Sequence, residues 1–147
     1  MDMVELIELG NEIMNLQKYT SFFHDGSINS INHIDNEIII SMESAEMDED
    51  DITDDIKLSR DDRIRGQLHI EGAKSIRENN QPYTDILKMK YEDAEIFHFE
   101  VDQNKVELQI KWCSFPPKPC IEDFSTIEIE AKNIWWENIP NFEGLHP

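Results

Sequence analysis

The chain of 147 residues carries one pattern twice, and this constrains its fold more than anything else in it. Residues 25–44, DGSINSINHIDNEIIISMES, lie without a gap on residues 93–112, DAEIFHFEVDQNKVELQIKW, 68 positions further on. Asp25 falls on Asp93, Ile28 on Ile96, Ile31 on Phe99 and Asn36 on Asn104. Ile38, Ile40 and Met42 fall on Val106, Leu108 and Ile110. A second echo follows each copy in the same order. Residues 68–79, LHIEGAKSIREN, match residues 127–138, IEIEAKNIWWEN, once Gly72 and one Trp are skipped. Similarity at a fixed offset is the mark of a repeated supersecondary unit. Two related halves are therefore expected.

The local pattern says what each half contains. Ile28 and Ile31, like Ile96 and Phe99, stand three apart where a flat strand would place them two apart. An offset of three shared by both copies predicts a bulge that re-aims the strand. Asp35-Asn36 and Gln103-Asn104 then supply hairpin turns, since Asn tolerates left-handed backbone. The following strands alternate cleanly, with Ile38, Ile40 and Met42 on one face and Val106, Leu108 and Ile110 in the copy. The second echo adds strands at 68–71 and 127–130, each running on or kinking into 75–77 and 134–136. Before the repeats, Leu6, Leu9, Ile13 and Leu16 fall at helical spacing and predict a helix over 2–18, with Gly10 its weak point. The expected fold is α+β, mostly antiparallel β. An N-terminal helix packs on a sheet, open, two-layered or closed to a barrel, built from two internally repeated β units. Residues 1–147 form a single domain: 1–24 helix and lead-in, 25–79 the first repeat, 80–92 a connection, 93–138 the second repeat and 139–147 a tail.

Composition enters through charge. A formal net charge of -19 repels nucleic acid and anionic membranes and attracts basic partners. Residues 43–55, ESAEMDEDDITDD, hold eight carboxylates and no basic side chain. A short basic stretch, Lys57, Arg60, Arg63 and Arg65, follows and is expected to fold back on it. Glu46, Asp48, Glu49, Asp50, Asp51, Asp54 and Asp55 are candidate partner-binding residues. Calcium is the alternative ligand for such oxygens, but the run lacks the central Gly of an EF-hand loop. Trp135 and Trp136 are also candidates for partner binding. Adjacent on a strand, they point to opposite faces, so one belongs in the core and the other is free to anchor an interface.

Catalytic signals are missing from the sequence. His24-Asp25 is the most reactive-looking pair, yet no GxSxG, HExxH or glycine-rich phosphate loop accompanies it. Its echo is Glu92-Asp93, and a turn-forming Asp at a strand entrance explains both copies. His69 and His98 fall on strands opposite apolar neighbours and read as surface residues. Cys113 and Cys120 flank SFPPKP without a CxxC, and a reducing compartment would keep them as thiols. No catalytic residue, cofactor or metal site is expected. The start of the chain lacks a basic, apolar leader, and no apolar run reaches the ~20 residues that span a bilayer. A cytoplasmic location with no membrane or nucleic-acid partner follows as the expectation.

The segment YTSFFHDGSI, with its echo YEDAEI, resembles the start of small bacterial proteins with an FHD motif, some of them immunity proteins of polymorphic toxin systems. Phe23, His24, Asp25, Gly26 and Ile28 carry the likeness; the rest of the chain matches only in the order of its elements. The resemblance implies no enzyme and transfers no site. It implies a protein that neutralises a toxin by occluding it, and the acidic run is not part of its pattern. Charge and resemblance together lead to an acidic, non-enzymatic interaction protein that occludes a basic partner. A small-ligand or calcium-binding domain, or an accessory domain of other role, is the alternative.

Overall fold

The computed structural model describes residues 16–52, 56–114 and 122–141, with the backbone alone at Glu122. The strands are β1 (Ser27–Ile34), β2 (Glu37–Glu43), β3 (Arg65–Glu78), β4 (Gln81–Pro82), β5 (Asp93–Val101), β6 (Lys105–Cys113) and β7 (Glu122–Asn138). Their lateral order is β2-β1-β5-β6-β7-β3, and β2 pairs again with β3. Six antiparallel strands thus close into a barrel, with β4 a two-residue appendage of β3. Closure removes the unpaired edges that an open sheet would expose.

This overturns the α+β expectation. Among the described residues α-helical backbone is confined to Leu16 and Gln17, and the helical elements are 3-10 turns at Thr20–Phe23 and Glu49–Asp51. Most of the expected helix, residues 2–15, lies outside the described residues. What precedes β1 contributes to the core through Leu16, Tyr19 and Phe23. Phe23 meets Phe99 of β5 edge-on at 5.1 Å and Trp136 of β7 at 6.1 Å.

The two meanders β1-β2-β3 and β5-β6-β7 keep one register. Ile28 pairs with Met42 and Ile96 with Ile110; Ile31 pairs with Ile40 and Phe99 with Leu108. Ile40 then pairs with Leu68, and Leu108 with Ile127. The expected bulges are present at matching places, between Ile28 and Ser30 and between Ile96 and His98. Ile38, Ile40, Met42, Val106, Leu108 and Ile110 all point inward and are buried, so the space between the halves is filled with aliphatic and aromatic side chains. The strands of the second echo run on as expected. In β3 the extra residue Gly72 sits at φ +65 beside the register shift from Ala73 to Ser75, a conformation that costs Gly little and other residues more.

The turns are less alike than the strands. Asp25 takes φ 68 in a turn, whereas Asp93 already belongs to β5. At the first hairpin the left-handed residue is Asp35, at φ 55, and not Asn36. The halves also meet through unequal seams. β3 and β7 pair along most of their length, from Gly66 with Asn138 to Glu78 with Ile127. β1 and β5 pair only at Ser27 and Glu95, helped by Asp25 N–H to Ile96 O and Ile96 N–H to Gly26 O, both 2.9 Å. Close approach explains Gly26: a Cβ there would lie 2.2 Å from the Glu43 carbonyl oxygen.

Candidate functional site

The acidic loop between β2 and β3 is held at its root and displayed at its tip. Met47 is buried in the core, its N–H donates to Asp62 O at 2.7 Å, and Ala45 N–H donates to Phe22 O at 2.9 Å. Beyond this anchor Asp48 caps the turn Glu49–Asp51 by accepting from Asp50 N–H at 3.4 Å. Glu46, Asp48, Glu49, Asp50 and Asp51 are exposed, and among the described residues none of the five is ion-paired. Asp54 and Asp55 lie outside the described residues.

The basic stretch folds back on the root of the acidic run, at Glu43 and Ser44, and also on Asp61. Arg65 donates from Nε to Glu43 at 2.9 Å and from Nη2 to Asp61 at 3.0 Å. Arg63 reaches Asp61 at 3.1 Å and the Ser44 carbonyl at 2.9 Å. The hydrogen bond from Ser59 Oγ, 2.6 Å away, leads the effects that hold the Asp61 carboxyl below its ordinary pKa; burial opposes them and Arg65 assists. Burial works against the charge of Arg65, but Glu43 and Asp61 outweigh it and raise its pKa. These cations thus brace the loop's base and leave the tip carboxylates unneutralised.

The tryptophans divide as adjacent strand residues must. Trp136 is 1% exposed and packs on Phe23, so it is a core residue and not a partner anchor. Trp135 points outward, half-buried, and stacks on His69 with ring centroids 3.8 Å apart; His69 Nε2 lies 2.9 Å from Glu137. Trp135 Nε1 is buried and has no hydrogen-bond partner among the described residues. His24 and Asp25 stand 3.7 Å apart, both more than half exposed, and His24 Nδ1 is 2.7 Å from the Phe97 carbonyl oxygen. That contact holds His24 against the β5 bulge, a structural duty for a pair that resembled a dyad.

Comparison with protein-family models, with curated proteins and with solved structures finds no match. Among the described residues, no helix is long and apolar enough to cross a membrane.

A second constellation escaped the sequence reading. On the outer wall of β5 to β7, Phe97 and Phe124 are 38% and 54% exposed, with ring centroids 5.9 Å apart. Beside them His98, Glu100 and Glu107 bring ligand atoms within 4.8 Å of one another, with His98 Nε2 at 3.3 Å from Glu100. The donors suit a cation, whether a divalent metal or a protein's basic side chain. One signal was in the sequence: an aromatic residue, Phe97, occupies the extra position that the three-residue spacing assigns to the bulge. Its partner Phe124 gave none, because no local period encodes the register of β7 on β6 that sets Phe124 opposite Lys111.

Proposed function

We propose that this chain is a non-enzymatic binding protein whose acidic surface captures a basic protein and occludes it, in the manner of a cytoplasmic immunity protein. One observation carries the reading. Five exposed carboxylates without ion-pair partners among the described residues stand on a loop whose root is anchored by Met47, in a chain of net charge -19. A fixed array of like charge raises the rate of encounter with an oppositely charged partner and is screened by salt. A non-enzymatic role agrees with His24 and Asp25 being exposed and bound into a turn.

The test is kinetic. Replacing Asp48, Glu49, Asp50 and Asp51 by Asn or Gln should slow association with an octa-lysine peptide, in stopped-flow mixing, while dissociation changes little. Raising salt should weaken binding of the parent chain and affect the neutralised variant much less. Equal association rates and equal salt slopes would reduce the loop to a solvated surface.

A further inference from the structure

We infer that the outer wall of β5, β6 and β7 is the docking surface for an arginine-rich segment of the basic partner. This rests on the reading above and deepens it: the loop steers the encounter, and the wall holds what arrives.

The wall carries two features that the fold does not need. The first is aromatic. Phe97 is the extra residue of the β5 bulge, turned outward between His24, at 6.0 Å, and Phe124, at 5.9 Å. Bulges commonly re-aim a side chain in this way. A single exposed ring is ordinary, but adjoining rings expose apolar area that a partner would cover. The first half of the molecule serves as an internal control, because its register is the same. Its bulge residue is the exposed Asn29, and in place of Phe124 opposite Lys111 it has Arg65 opposite Glu43. The barrel therefore closes equally well with polar side chains at these positions.

The second feature is charge. Glu100 stands directly across from Glu107, and Glu107 directly across from Glu128. Like charges facing each other across strands are destabilising. The first half places Asn32, Ile39 and His69 at the corresponding positions. Lys105 answers Glu128 alone, at 3.6 Å, and Lys111 is already engaged. A groove of about 280 Å³ joins the two features, running from His24 and Phe97 to His98 and Glu100.

Arginine is the side chain best suited to use both. A guanidinium stacks on aromatic faces and donates to two carboxylate oxygens at once. A metal ion would engage His98, Glu100 and Glu107 and leave the phenylalanines unused, while an apolar partner would bury the carboxylates unpaired. The net charge of -19 favours a polybasic segment over an isolated arginine.

The experiment compares octa-arginine with octa-lysine by calorimetry at about 0.15 M salt, where the Debye length is about 8 Å. The parent chain should bind octa-arginine several-fold more tightly. Replacing Phe97 with Asn and Phe124 with Ser should weaken octa-arginine by about tenfold, within the range of cation–π contacts, and leave octa-lysine within about twofold. Glu100→Gln with Glu107→Gln should weaken both peptides. All these positions face outward, and circular dichroism checks that the variants stay folded. Equal affinity for the two peptides, or a preference that survives loss of both phenylalanines, overturns the wall assignment and leaves the proposed function standing. No binding of either peptide overturns both. Sedimentation that finds a dimer dissociated by the phenylalanine changes would also overturn the assignment, since a second copy would then cover the wall.

Discussion

Ala73 and Ala131 face each other across β3 and β7, and each donates its N–H at 2.9 Å to the asparagine carbonyl of the hairpin before it, Asn36 and Asn104. The pair relates the two halves of the barrel at their longer seam. Burial nevertheless sets the two apart, since Ala131 is in the core and Ala73 only half-buried. Ala131→Val should therefore cost about 1–3 kcal/mol, as overpacking does, and Ala73→Val distinctly less. Urea midpoints of the two variants check the order.

Inward and outward faces make a sharper test. Ile40→Ala and Leu108→Ala should each destabilise by about 2–5 kcal/mol, because both side chains are fully buried and would leave cavities. Gln109→Ala, on the exposed face, should stay within about 0.5 kcal/mol. Ser41 is not the surface residue that alternation alone implies: it is 7% exposed and accepts from Gln67 at 3.3 Å. Its change to Ala should cost about 0.5–1.5 kcal/mol. A lower denaturant midpoint for Gln109→Ala than for Leu108→Ala would place the inward face one residue out.

Stability and charge separate along the acidic loop. Met47→Ala should cost about 2–5 kcal/mol by removing the buried anchor. Neutralising Asp48, Glu49, Asp50 and Asp51 should leave the melting temperature unchanged or slightly raised, because like-charge crowding is relieved. A large loss of stability in the neutralised variant would make these carboxylates structural.

Asp61 predicts a dependence on pH. Its folded pKa lies below the ordinary 3.8, chiefly through the Ser59 hydroxyl. The folded state thus favours the ionised form. Its contribution is present above pH 3.8 and is lost as the pH falls through the lowered folded value. The gap in urea midpoint between the parent chain and Asp61→Asn should shrink from about pH 5 to about pH 2. A gap that stays constant would assign the effect of the substitution to packing instead of charge.

The sequence by itself determined whatever depends on near neighbours along the chain. Side chains alternate with period two in a strand, so Ile38, Ile40 and Met42 announced their face, and a spacing of three announced each bulge. The repeated pattern made the two meanders legible for the same reason. Which edges meet is a different kind of question. Closure depends on Ser27 finding Glu95 and on β2 finding β3, long-range pairings that no local period encodes. The sequence does not choose between open sheet, two layers and barrel, and its amphipathic lead-in predicts a helix packed on the sheet whichever of these forms. The candidate sites divide along the same line. The acidic run is contiguous and could be read directly. The wall is assembled from Phe97, Glu107 and Phe124 on three strands, and tertiary pairing alone makes them neighbours. That pairing also decided which tryptophan faces inward: Trp136 aligns with Leu68, Trp135 with His69, and the core accepts the one opposite the leucine.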